Sequence, residues 1–151
     1  MTPDEFKRLL AKQRDALTHA IVRTIPVKVG TVAVHHFRDN FRASGFVDDS
    51  LKQWTRSKRQ DDPKHPDRSY KTLLSRRNYL YKSISKRIEP AKAIVYTDVP
   101  YAAAHNEGTT NAGRSHNVRI PKRQFMGKSK QLDKKCLKLI DEELKKILNG
   151  H

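Results

Sequence analysis

Ser83-Ile84-Ser85-Lys86-Arg87-Ile88-Glu89-Pro90-Ala91-Lys92-Ala93-Ile94-Val95-Tyr96-Thr97 is the stretch whose reading decides the fold. Ser83–Ile88 and Ala93–Thr97 are strand candidates. Between them Glu89-Pro90-Ala91-Lys92 has the length and composition of a hairpin turn. A hairpin in a chain whose two ends read as helices argues for an antiparallel sheet with helices packed on it.

Upstream, Thr2-Pro3-Asp4-Glu5 spells a helix start: Thr at the cap, Pro in the first turn and Glu three residues after the cap. Phe6, Leu9, Leu10, Leu17, Ala20 and Ile21 follow at roughly helical spacing, which predicts a helix to about Arg23, interrupted at Pro26. From Val27 to Ala43, Val27, Val29, Thr31 and Val34 could alternate in a strand. The four-residue spacing of Val29, Ala33, Phe37 and Phe41 favours a second helix instead, ended at Ser44-Gly45 with Gly in the left-handed position. Residues 48–70 read as a long exposed basic loop with Trp54 as its one large anchor. Leu73, Leu74, Tyr79, Leu80 and Ile84 form a short amphipathic piece.

Downstream of the hairpin, Ala102–His105 predicts a short helix, Gly108–Ser115 a flexible loop and Asn117–Ile120 a third strand. Ser129 caps a last helix whose stripe is Leu132, Cys136, Leu139, Ile140, Leu144 and Ile147, with Gly150 just past its end. The expected fold is α+β: a small antiparallel sheet of about three or more strands, packed by N-terminal helices and a long C-terminal amphipathic helix. It is expected as one domain over 1–151, with N-terminal helices in 3–43, the basic loop in 48–70, and the sheet and C-terminal helix in 73–149.

Composition narrows the function classes. The 151 residues carry 32 Lys+Arg against 16 Asp+Glu, a net charge of +16, and only 36% are apolar. That is a thin supply for a core, so part of the chain is expected as surface loop or as surface covered by another subunit. Between Lys52 and Arg87 twelve Lys and Arg face three Asp, a local excess of +9, which points to a polyanionic or acidic partner. No apolar run reaches the ~18 residues of a membrane helix, and the first residues lack a secretory pattern, so a soluble intracellular protein without a membrane partner is expected. The single Cys136 excludes an internal disulfide and a Cys-based zinc site.

Catalytic chemistry has little to stand on. Glu107 is the one acid near His105 or His116, too few groups to hold a nuclease metal ion. His35 and His36 are adjacent, so a helix points them about 100° apart, and His36 is expected beside Phe37 and Phe41. No nucleophile elbow, phosphate-binding Gly loop or paired-carboxylate spacing is present. Neither a catalytic residue nor a cofactor or metal is expected.

Two blocks carry a resemblance: Asp98-Val99-Pro100-Tyr101-Ala102-Ala103-Ala104-His105-Asn106-Glu107-Gly108, and Ile120-Pro121-Lys122-Arg123-Gln124-Phe125-Met126-Gly127. With the closing amphipathic helix they resemble the phage virion morphogenesis family, the tail-completion proteins of Mu-like and related tailed phages. Its members read N-V-P-Y-A-x-x-H-x-x-G, a variable loop, then I-P-A-R-P-F-L-G and a terminal helix. A preceding T-G-x-L-x-x-S-I segment is echoed by Arg77–Ile84. Arg77-Asn78 stand where the family has Thr-Gly, and Asn still permits a positive φ. Gln124 stands where it has Pro, so that segment is expected to be less rigid. The resemblance spans 77–149 closely and 1–76 loosely.

Physically, the motif positions read as fold-keeping. Pro100 sets the chain direction, Tyr101 plugs its ring into the core, and Gly108 turns the chain after the helix that holds His105. Ile120, Pro121 and Phe125, with Arg123 among them, pin the chain before the last helix. The resemblance implies a non-enzymatic assembly protein of a bacteriophage or prophage, added to the tail or neck so that head and tail join. It would be located in the virion after assembly in the host cytoplasm. The implied partners are tail or neck proteins (tail tube, terminator or head-tail connector) and further copies of itself, a ring being one form. Trp54, Arg56, Lys58, Arg59, Arg76 and Arg77 are the candidate partner contacts, with non-specific DNA contact a further role for the basic segment. A stand-alone nucleic-acid-binding protein is the alternative, and a metal-dependent nuclease a weaker one.

Overall fold

The computed structural model describes residues 1–150. One long helical rod opens the chain: α1 (Pro3–His19), a π-helical turn (Ala20–Thr24) and α2 (Ile25–Ala43). The expected capping box is present, with Glu5 N donating to Thr2 Oγ1 and Thr2 N to Glu5 Oε2. The expected break at Pro26 is not. Pro26 has no N–H for the Val22 carbonyl and its ring would crowd a regular α-turn. The wider π turn shifts the register, so that Pro26 falls in the first turn of α2. The stranded Val22 carbonyl then accepts from Ala91 N, 3.1 Å away, at the tip of the hairpin.

The rod also corrects the expectation about apolar runs. It contains an 18-residue window with mean hydropathy 1.2, enough by length and composition to cross a membrane. Within it Ile25, Pro26, Gly30, Ala33 and, beyond, Phe37 and Phe41 are buried against the rest of the protein. Ser44, not Gly45, takes the left-handed cap (φ 55°). Gly45 instead begins a strand, where a Cβ would lie 2.6 Å from the Lys52 carbonyl oxygen.

The remaining elements are β1 (Gly45–Val47), β2 (Leu51–Gln53), two 3-10 turns (Lys58–Asp61, Pro66–Arg68), α3 (Tyr79–Ser83), β3 (Ser85–Glu89), β4 (Lys92–Tyr96), α4 (Ala102–Glu107), β5 (Thr109–Ala112), β6 (Val118–Ile120) and α5 (Lys130–Leu148). The architecture is α+β. Its strands form three separate antiparallel pairs, β1-β2, β3-β4 and β5-β6, in place of one sheet of three or more. The decisive hairpin is shifted and tightened: Ser85 pairs with Tyr96, and Glu89 with Lys92 across the two-residue turn Pro90-Ala91. Gly108–Ser115, expected as a flexible loop, supplies β5. Of the amphipathic piece only Tyr79–Ser83 is helical, and Asn78 takes the positive φ (52°) its position requires.

The core is centred on Phe41, whose ring lies 5.2 Å from Phe125, 5.7 Å from Trp54 and 5.9 Å from Tyr81, centroid to centroid. Ala33, Val34, Phe37, Leu80, Ile84, Ala102 and Leu132 complete it. The apolar stripe of α5 brings Leu132 into this core, with Cys136 packed beside it. Ser129 caps α5 through Leu132 N, and Asp48 adds its carboxylate and carbonyl to the amides of Lys130 (2.9 Å) and Gln131 (3.1 Å).

Candidate functional site

The two motif blocks meet. The Asn106 side-chain oxygen accepts from Phe125 N (2.9 Å) and Met126 N (3.0 Å), and the His105 carbonyl accepts from Arg123 N (2.8 Å). Gly108 (φ 76°) follows α4 where a Cβ would stand 2.9 Å from Lys122 N, so only glycine lets the second block pass. Phe125 is fully buried under Phe41, while Ile120 and Pro121 are half-buried at the edge. Pro100 is exposed. Tyr101 does not plug into the core: it is 47% exposed and stands edge-on to His105, ring centroids 6.0 Å apart. Tyr101 is the N-cap of α4, and adjacent positions at a helix start project about 100° apart, so Tyr101 and Ala102 do not both face inward; Ala102 is the one buried.

The basic segment is pinned down against these blocks. Trp54 is only 9% exposed: its ring lies against Phe41 and its indole N–H donates to the Gln124 carbonyl (2.8 Å). It is therefore a core residue and not an exposed anchor. Arg123 Nε donates to the Thr55 carbonyl (2.9 Å) and Nη2 to that of Arg56 (3.3 Å). Arg59 Nη2 donates to the carbonyls of Leu74 and Lys71. Thr72, buried, bonds Gln60 and Ser57 N, and Lys71 Nζ reaches the Arg42 carbonyl (3.0 Å). Of the remaining candidates, Arg56 pairs with Asp61 (2.8 Å), Arg77 bonds the Tyr79 hydroxyl (3.0 Å), and Lys58 and Arg76 are exposed.

A cleft of about 250 Å³ opens where the segment and the motif meet, lined by Arg59, Arg123, His105, Tyr101 and the hydroxyl and apolar groups of 57, 72–75 and 80. No carboxylate of the described residues lines it. Burial, then Arg123 and Arg59, hold the His105 imidazole below its usual pKa. Burial and Arg59 lower that of Arg123. Arg59 Nε and His105 Nδ1 are buried without a hydrogen-bond partner among the described residues.

His36 occupies a second polar pocket under α5. Its Nε2 lies 3.2 Å from the Val47 carbonyl and 3.1 Å from Ser129 Oγ, and Lys135 Nζ lies 3.2 Å from its Nδ1. A lysine ammonium only donates, so Nδ1 accepts and the ring is neutral with its proton on Nε2. Burial accordingly lowers its pKa. It meets Phe37 edge-on, as expected. Asn40 escaped the sequence reading. Fully buried, it donates to the Phe125 carbonyl (2.9 Å) and accepts from Val47 N (3.1 Å). An Asn beside an apolar stripe was its only sign. Asn106 was visible within its motif but carried no role there.

Among the described residues no three His, Cys, Asp or Glu side chains come together as a metal site. A family model, the phage virion morphogenesis family, matches residues 3–145 of the 151. The chain belongs to that family. The match takes in the N-terminal rod and the basic segment, well beyond the region of close motif resemblance. No curated protein and no solved structure matches the chain. The family supports a structural, phage-assembly role for the chain, and in this member the two motif blocks are joined by polar contacts.

Proposed function

We propose that this family member completes the tail or neck of a tailed phage or prophage, so that heads and tails join, and that it acts without catalysis. The observation that carries the reading is the use to which the motif is put. Asn106, Gly108, Arg123 and Phe125 bond or pack against the chain itself, and among the described residues no three His, Cys, Asp or Glu side chains gather beside them to hold a metal ion. Partners in the virion are supported by unspent surface. α1 buries none of its residues, while Phe6, Leu9 and Leu10 are 51%, 42% and 49% exposed. Such a stripe suits contact with a neighbouring subunit, a second copy included. Lys58, Arg68, Arg76 and Arg77 are each exposed, and cations left in solvent suit contact with an acidic protein rim.

The test is deletion from the phage or prophage. Filled heads and separate tails should accumulate in the lysate, and supplying the protein should restore joined particles. Normal infectious particles from the deletion would refute the assignment. Salt distinguishes the partner: contact with DNA would weaken linearly in log–log form with rising salt and be blind to sequence, whereas docking on a protein rim keeps a salt-resistant part.

A further inference from the structure

The cleft between the basic segment and the motif blocks has the chemistry of a receptor for one carboxylate. Two guanidiniums and an imidazole line it, with no acid to balance them among the described residues. Each guanidinium is fixed from behind by backbone carbonyls, Arg59 through Nη2 and Arg123 through Nε and Nη2. Their Nη1 groups make no hydrogen bond among the described residues. Like charges held together, with Arg59 Nε and His105 Nδ1 desolvated and unpaired, are costly unless something offsets them. Arginine forks anchored in this way present planar donors suited to a carboxylate.

We propose that this cleft receives a single acidic side chain, Glu or Asp, presented by a partner protein of the virion. Its volume, about 250 Å³, lies below that of sites for drug-sized ligands and fits one side chain. Leu73, Leu74, Leu80 and Tyr101 line it together with the cations, which suits a carboxylate on an apolar stem better than a phosphate. A duplex phosphate lies on a broad rod, and its chain cannot follow a recessed cleft of this size. The partner's being a virion protein rests on the assembly reading; the cleft's preference for a carboxylate does not.

The test uses the isotope-labelled full chain, titrated with N-acetyl-glutamate amide and, separately, with N-acetyl-glutamine amide, inorganic phosphate and a short DNA duplex. The expected result is a saturable shift of the His105 ring and Arg123 amide signals with the glutamate compound, in the millimolar range. The glutamine compound should act at least tenfold more weakly. Arg59→Lys keeps the charge and loses the fork, and should weaken binding severalfold, whereas Lys138→Ala, on the exposed side of α5, should leave it unchanged. Should Arg59→Lys fail to fold, the glutamate–glutamine contrast on the unaltered chain decides alone. Equal response to both compounds, or shifts of these signals by phosphate or duplex alone, overturns the proposal. A deletion phage that still joins its heads and tails would end the assembly reading and leave a positive glutamate result standing. Loss of joining combined with no glutamate response would do the reverse.

Discussion

Where α2 packs on the rest of the fold, the buried cluster is made of apolar side chains, Ala33, Val34, Phe37 and Phe41 at helical spacing with Leu132 from α5, and the polar contacts of His36 and Lys86 lie beside it. Where residues 54–78 meet 98–126, much of what fixes the chain is hydrogen bonding to its backbone: Trp54 to Gln124, Arg123 to Thr55 and Arg56, Asn106 to Phe125 and Met126, Arg59 to Leu74. The first region is an ordinary core built on periodicity. The second is irregular chain made rigid by donors and acceptors that find each other at long sequence separation. A chain with 36% apolar residues has too few to cover both ends, and the motif end is ordered by polar contacts instead.

Phe41 is the point shared by the two regions, so its truncation should be the most damaging. Phe41→Ala removes a fully buried ring in contact with Trp54, Tyr81 and Phe125. The expected loss is about 3–5 kcal/mol, or a melting temperature lower by on the order of 10 °C. Urea unfolding measures it. A loss under 1 kcal/mol would mean that the two regions do not share a core.

Asn40→Ala tests the polar region in isolation. It orphans the Phe125 carbonyl and Val47 N, at about 1–3 kcal/mol for each buried partner left unmade. A loss of about 2–4 kcal/mol is expected, and Asn40→Leu should not restore it, since shape without donors leaves both groups bare. Full rescue by Leu would show that packing, not bonding, holds this end.

The helices, the hairpin and the last stripe were legible because period and capping are local properties: Thr2, Ser129 and the Val29–Phe41 spacing each announce themselves within one or two turns. The rod's continuity was not, because the rule for Pro26 assumes an α-helical register, and the π turn that rescues it depends on Ala91 donating from 69 residues away. The segment 48–70 is largely exposed, as its composition implies, but Trp54 is not, for a related reason. Trp54 in a polar neighbourhood looks like a surface aromatic until the Gln124 carbonyl and Phe41 arrive from elsewhere in the chain. The cleft was half legible. Arg59 stands out in the basic segment and Tyr101, His105 and Arg123 in the motif blocks, but only folding brings the segment onto the motif.

Acid should expose a smaller contribution from both regions. His36 beneath α5 and His105 in the cleft both have lowered pKa values, burial being the first cause in each. The unfolded chain, with ordinary values near 6.5, therefore binds more protons than the folded one just below that pH. The stability these neutral rings supply is complete above about pH 6.5 and is lost as pH falls toward their folded values. Lys135 and Asp39 act on His36 in opposite directions, and Arg123 and Arg59 act on His105 together. Denaturation midpoints should fall between pH 6.5 and 5.5, and less steeply in His36→Gln. A midpoint flat over that range would show that neither ring resists protonation.

The smallest effect on stability is expected in α1, and there the comparison extends to a third kind of surface. α1 carries Phe6, Leu9 and Leu10 at helical spacing as plainly as α5 carries its stripe, yet α5 reaches the core through Leu132 while α1 has no fully buried residue and only Ala11, Gln13 and Leu17 half-buried. Apolar periodicity alone does not say against what a stripe will be buried. If the assembly reading holds, this one is kept for another subunit, and replacing it should leave the folded chain nearly untouched. Phe6→Ser with Leu9→Ser should shift the unfolding midpoint by no more than surface changes do, within about 0.5 kcal/mol. The same variant should lose self-association in sedimentation and should no longer restore joining to a deletion phage. The capping box at Thr2 and Glu5 stays intact in it, so helix content by circular dichroism separates lost contact from lost helix. A large fall in stability would mean that the stripe already serves the monomer. Unchanged association and joining would mean that the exposed face of α1 is solvated in the virion as well.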